Sequence, residues 1–328
     1  MGIANISDNE LRDFLEKNWH YIFHTIDYNN FIKETLDIRT SCIAVKVDNE
    51  IKLILPLHCI RSPFFGNRLI STAFLEYGGF AGDEKYIPEM ISYLKRIKGV
   101  DYIEIKQGLQ FTCNLPYSDK YKRFVLMLKD EKTNWEMLDR QKRKAIRKAE
   151  KFLDVREIAD TSFYDTYLKT VREFGTPPFS KKYFENFFKC GLGKCFGAFF
   201  NRKLVCALLG FCYDKKVHIT ILATDKNYLE YRPNELVHWH FIKWAIANNY
   251  REMDFGIVRP EQGNFRFKKE FGCELLDLKN YYILFKGNQI PDIDPHNEKY
   301  RFIIRIWKRM PLFIVRIIGP YLKKGLGK

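Results

Sequence analysis

With 328 residues, 46% of them hydrophobic and 16% aromatic, the chain has enough apolar material for two ordinary domains and is not a disordered polymer. Its formal charge of +15 calls for an anionic partner: nucleic acid, a membrane surface or a phosphorylated substrate. The eight cysteines form no C-x-x-C pair and the seven histidines show no metal spacing, so reduced, mostly buried thiols are expected and no metal site.

The N-terminus is polar and acidic and shows no signal-peptide pattern. No uninterrupted apolar run reaches about eighteen residues, so no spanning helix is expected and the location reads as cytoplasmic. In chain order, Cys42 to Val47 and Ile51 to His58 flank Asp48-Asn49-Glu50, a hairpin signal. A loop with Phe64-Phe65-Gly66 and Tyr77-Gly78-Gly79 follows. Then come a helix from about Tyr86 to Ile97 and strands Tyr102 to Lys106 and Arg123 to Leu128.

Trp135 to Leu153 reads as one long amphipathic helix. Leu138, Ala145, Ala149 and Phe152 fall near one face, and Arg140, Lys144, Arg147 and Lys151 on another, with Arg143 and Lys148 beside them. Such an edge is either a solvated face or a phosphate-binding one. Helices follow at Thr161 to Glu173 and Lys181 to Cys190, then a meander Phe196 to Phe200, Leu204 to Tyr213 and Val217 to Thr224. A helix from Asn234 to Asn248, a strand Glu252 to Phe255, the Lys268 segment and a strand Tyr281 to Phe285 complete the second half.

The same order of elements twice predicts an α/β (α+β) chain of two similar mixed-sheet domains with helices on their faces. The expected divisions are 1–130, 131–290 opening with the basic helix, and a basic amphipathic tail 291–328. In the tail Tyr300, Ile303, Ile304, Trp307 and Met310 share a face among lysines and arginines, and Pro311 and Pro320 interrupt it. It reads either as a helix lying in a membrane interface or as one docked on the core. Under the membrane reading, a chain ending near Asn297 stays folded.

Asp254-Phe255-Gly256 followed by Gly263 to Gly272 places a carboxylate at a strand end and a cation a short loop away, an arrangement suited to a developing negative charge. With it stand Phe64 to Ser71 and Tyr77-Gly78-Gly79, Arg143-Lys144-Ala145-Ile146-Arg147-Lys148-Ala149-Glu150-Lys151, and Phe174-Gly175-Thr176-Pro177-Pro178-Phe179. Together, in this order, these segments resemble the FemAB-type acyltransferases, most closely the branch linked to exported polysaccharide and cell-surface assembly. That resemblance implies two tandem GNAT-like domains forming one acceptor cleft, transfer of an acyl or aminoacyl group to an amine, and Lys268 as the lysine near the reacting carbonyl.

On this reading Asp254 or Asp83 takes the proton. Arg143, Lys144 and Arg147 hold an acceptor diphosphate. Tyr77, Gly78, Gly79 and Thr176 line the acceptor site, and Arg232 and Arg259 are further substrate contacts. No cofactor is tightly bound; the donor is aminoacyl-tRNA or acyl-CoA. The acceptor is a phosphate-bearing, nucleotide- or lipid-linked envelope precursor, peptidoglycan-like or surface-glycan, met at the inner face of the cell membrane through peripheral contact with anionic lipid. Two departures stand out. Tyr228 to Glu235 has no glycine where acyl-CoA-binding domains carry a glycine-rich loop, and the long coiled-coil arm of the peptidoglycan-bridge members is missing. The alternatives are a noncatalytic nucleic-acid-binding protein and a membrane scaffold with an inactive fold.

Overall fold

Asp48 and Asn49 both take positive φ (49° and 65°), which gives the two-residue turn the twist that antiparallel strands need. The expected hairpin forms there in the computed structural model, which describes residues 2–107, 113–291 and 298–327. Two units emerge: Met1–Lys120 with Leu278–Asp294 and Tyr321–Lys328, and Tyr121–Asp277 with Pro295–Pro320.

The first unit contains β1 (Gly2–Asn5), α1 (Asp8–Lys17), α2 (Ile26–Leu36), β2 (Arg39–Val47), β3 (Glu50–Ser62), β4 (Gly66–Ile70), β5 (Ala81–Gly82), α3 (Ile87–Leu94) and β6 (Tyr102–Gln107). Ser7 and Glu10 form a reciprocal capping box that starts α1. The strands lie in the order β1-β2-β3-β4-β6, antiparallel except for β4 and β6, which run parallel. Ile43, Val45, Leu55, Ile103 and Ile105 meet Ile87, Met90 and Leu94 of α3 in its core. β4 falls inside the expected loop. The buried Arg68 at its centre interrupts the apolar pattern that would have marked it.

The second unit takes β7 (Tyr117–Met127) from Tyr121 onward, then α4 (Glu131–Met137), α5 (Arg140–Ala149), β8 (Asp154–Glu157), α6 (Tyr164–Phe174) and α7 (Lys181–Lys189). The meander β9 (Gly193–Phe200), β10 (Lys203–Tyr213) and β11 (Lys216–Thr224) follows, then α8 (Pro233–Ala247), β12 (Glu252–Val258) and α9 (Gly263–Lys269). β13 (Glu274–Leu284), α10 (Arg301–Arg309) and α11 (Leu312–Leu326) close the chain. The strand order is β7-β12-β11-β10-β9-β8, with β11 and β12 parallel. Leu208, Val217, Ile219 and Met253 pack with Val237, Phe241 and Ile242 of α8.

Three expectations need correction. The helix drawn from Trp135 to Leu153 is two helices, because Leu138 is extended and Asp139 starts α5 by accepting the Gln141 N–H. The second domain ends at Asp277, not 290; from Lys279, β13 pairs antiparallel with β6 and completes the first unit.

The tail 291–328 is not a free appendage. In the second unit Trp307 is buried and its indole N–H donates to the Thr176 carbonyl at 3.2 Å, while Arg172 donates to the Met310 carbonyl at 3.2 Å. In the first unit the buried Arg68 guanidinium takes the carbonyls of Gly325 and Leu326, and Phe74 donates its N–H to Gly327. The docked reading of the tail is therefore the one the contacts show.

Candidate functional site

In the second unit β11 and β12 pair over Lys216–Glu252, Val217–Met253 and His218–Asp254. β12 then turns to β7 through a bulge between Asp254 and Ile257. Gly256 sits in that bulge at φ +73°, and the Asp254 carboxylate accepts its N–H at 2.6 Å. The other Asp254 oxygen accepts Arg123 Nε, and His218 Nδ1 lies 3.6 Å away. Arg123 also reaches Glu252 at 2.9 Å. Asp254 is 2% exposed. Bound to a guanidinium and a backbone N–H, it braces the bulge, and the expected proton-acceptor role does not fit this setting.

Lys268 lies on α9, beyond that bulge. Phe265 packs edge-on against Phe124 with ring centres 5.0 Å apart, and Phe271 is fully buried. These anchors turn Lys268 inward, where its Nζ donates to the Ile257 carbonyl at 3.1 Å, while Lys269 is exposed. The ammonium thus stands beside β12 past the last residue that β11 pairs with.

A cluster that sequence reading missed supports α9 from behind. Lys142 of α5 is buried, with Nζ 3.3 Å from Glu270, 3.8 Å from Glu235 and 3.7 Å from the centre of the Phe267 ring. Burial pulls its pKa down, against the pull of the two carboxylates. The Asp139 N–H donates to the Glu270 carbonyl as a second tie between α5 and α9. His238 of α8 stacks on Phe255 and donates from Nδ1 to the Asn234 carbonyl; burial pushes its pKa down to about 3, so the ring is neutral. A signal for Lys142 existed: it stands four and seven residues before Ile146 and Ala149, the buried face of α5.

The basic edge of α5 is only partly open. Arg143 is half-buried and donates to the Glu136 carbonyl at 3.0 Å, and Lys148 donates to Glu230. Lys144 and Arg147 are exposed, with Arg147 resting 5.4 Å from the Trp135 ring. Where a glycine-rich loop was looked for, a short 3-10 helix Lys226–Tyr231 stands instead, and Arg232 takes φ +60° before α8. The Arg232 guanidinium is half exposed, 3.8 Å from Glu235. Arg259 follows β12, 5.2 Å from the Tyr121 ring and 3.7 Å from Glu261.

The remaining candidates have structural places. Tyr77 is 2% exposed and packs against Tyr21 and Phe23 in the first unit, so it does not line an open surface. A Cβ on Gly78 would come within 1.6 Å of Thr72 Oγ1, so this glycine is needed for close packing. Gly79 accepts His24 Nε2 at 3.1 Å. Asp83 caps a one-turn helix and pairs with Lys85 at 2.9 Å, which lowers its pKa and weakens it as a base. Thr176 closes α6 with its hydroxyl on the Val171 carbonyl and its own carbonyl on Trp307. Among the described residues no group of His, Cys, Asp and Glu is arranged to hold a metal ion.

Residues 138–269 match a family described as an acetyltransferase (GNAT) domain, and that span carries Lys142, Asp254 and Lys268. No curated protein matches the chain by sequence. Among solved structures the chain is similar to FemX, with 14% identity, 93% of this chain and 100% of that one covered, and a TM-score of 0.67. It is similar to a tandem GNAT protein from the clavulanic acid biosynthesis pathway, at 9% identity over 88% and 99% of the two chains with a TM-score of 0.53. L-PGS from Bacillus licheniformis matches at 10% identity over 93% and 97%, with a TM-score of 0.51. At such identities the likeness shows the fold: two tandem GNAT-like units, as the FemAB-type resemblance implies.

Proposed function

We propose that this GNAT-fold acyltransferase forms an amide on an amino group of a nucleotide- or lipid-linked cell-envelope precursor. The observation that carries the reading is the inward Lys268 ammonium, held beside β12 by aromatic anchors and by the Lys142–Glu270 tie. A carbonyl attacked there gains negative charge on oxygen, and a fixed cation lowers the barrier to that charge. The acceptor ammonium gives up one proton and its nitrogen attacks the donor carbonyl. The tetrahedral intermediate then expels the ribose hydroxyl of an aminoacyl-tRNA or the thiol of an acyl-CoA, each of which leaves with a proton. Asp254 is committed to Arg123 and Asp83 to Lys85, so water is the proposed first proton acceptor. Lys144 and Arg147 supply exposed cations for an acceptor diphosphate.

The test is mass spectrometry of an amine-bearing nucleotide-linked precursor after incubation with the full chain and either aminoacyl-tRNA or acetyl-CoA. A mass gain equal to one acyl or aminoacyl group is expected with one donor, and that donor names the subclass. No gain with either donor, together with tight, salt-sensitive binding to unrelated RNA, would replace this reading by the noncatalytic nucleic-acid one.

A further inference from the structure

α10 and α11 carry two apolar faces each, and only one of them is used. The docked faces place Trp307, Val315 and Gly319 inside the second unit. The opposite faces present Phe302, Ile303, Ile306, Phe313, Ile317 and Ile318, which are between 44% and 69% exposed. Phe174, 70% exposed, adds to this surface: it precedes Gly175, whose backbone lies against Ile304 and Lys308 of α10. An apolar surface of this size facing water marks an interaction site.

Charge decides the occupant. From Arg301 to Lys328 the sequence holds eight lysines and arginines and no acid. Arg305, Lys308 and Arg309 of α10 are exposed on the same helix as Phe302 and Ile306. Aromatic and branched apolar side chains rimmed by cations suit the boundary of an anionic bilayer, where the rings enter the acyl region and the cations meet phosphate. Among the described residues no helix is long and apolar enough to cross a membrane, and Pro311 separates the two helices. We infer that the outward faces of α10 and of α11 up to Ile318 lie in the interface of an anionic lipid leaflet. This differs from the sequence reading, which put Trp307 on the lipid side; Trp307 belongs to the docked face.

The experiment is co-sedimentation of the full chain with vesicles of phosphatidylglycerol and phosphatidylcholine, or of phosphatidylcholine alone. It reads lipid binding and not amide formation, so its outcome is independent of the proposed chemistry. The chain should sediment with the anionic vesicles, less with neutral ones, and detach at high salt. The variant Phe302→Ser, Ile306→Ser, Phe313→Ser, Ile317→Ser should keep its melting temperature and lose binding by at least about tenfold. Arg305→Gln with Arg309→Gln gives a second variant whose exposed positions leave folding untouched, and it should weaken binding to anionic vesicles only. Absence of wild-type binding to anionic vesicles, or retention of full binding by both variants, overturns the inference. A dimer in solution that the serine substitutions dissociate, without vesicle binding, would make the face a subunit contact instead.

Discussion

Lys268 and Lys269 are neighbours in sequence with opposite surroundings, one aimed at the Ile257 carbonyl and the other at solvent. If Lys268 stabilises developing charge, Lys268→Ala should lower turnover by roughly 100-fold with little change in substrate KM, and Lys269→Ala should stay near wild type. Steady-state kinetics on both variants decide it; equal, small effects would return the pair to a surface role. This asymmetry was legible, because Phe267 and Phe271 are spaced to anchor the turn. Arg123 and Lys142 were not, since a buried cation reads in sequence like any exposed one and only its partners, over 90 residues away, reveal it.

Three buried histidines make a second residue-scale prediction. In His24 and His58 one ring nitrogen accepts a backbone N–H, from Tyr21 and from Ala73, which fixes a neutral tautomer. Burial pushes His24 down to about 4, and His58 and His238 down to about 3. The unfolded chain takes up these protons below its ordinary value near 6.5 while the folded chain does not, so stability is full above that pH and falls as pH drops toward 4. At pH 5 each group costs about 2 kcal/mol. Melting temperatures measured from pH 7.5 to 5 should fall steadily; a flat profile would mean that the rings charge inside the fold.

At the scale of elements, the strands and helices from Cys42 to Phe285 were mostly readable from alternation and helical spacing. The errors cluster where one residue acts against its neighbours. Asp139 looked like part of a charged helix and is an N-cap that splits it into α4 and α5. Gly175-Thr176-Pro177-Pro178 looked like a helix stop or a pocket wall and is the seat of α10: Gly175 ends α6 at φ +80°, Ile304 lies over it, and Thr176 accepts the Trp307 N–H. A Cβ on Gly175 would fall 2.4 Å from Ile304, whereas one on Gly191, at φ +63°, meets nothing within 4 Å. Gly175→Ala should therefore destabilise by about 1–3 kcal/mol from backbone strain plus the clash, and Gly191→Ala by only the strain. Thermal melts of the pair separate the two contributions. Equal shifts would show that α10 yields without cost.

For the whole molecule, sequence order predicted two similar units and hid how the chain completes them. Residues 278–294 and 321–328 finish the first unit from the far end of the sequence, and local patterning carries no record of such long-range pairing. The expectation that a chain ending near Asn297, a residue outside the described ones, would stay intact rested on both sheets being complete before it. The contacts of Arg68 contradict that. Its side chain is fully buried in the first unit, and its guanidinium takes the last carbonyls of α11, where the negative end of the helix dipole also favours a cation. Lys324 adds a surface pair with Asp37 at 3.1 Å. Removing residues 321–328 would leave the buried Arg68 without these acceptors, at a cost of about 3–5 kcal/mol. The truncated chain should melt about 10 °C lower, and Arg68→Met in the truncated chain should recover part of that loss by removing the stranded charge. An unchanged melting temperature on truncation would mean that water reaches Arg68 as readily as α11 does, and that the C-terminal turn is dispensable to the first unit.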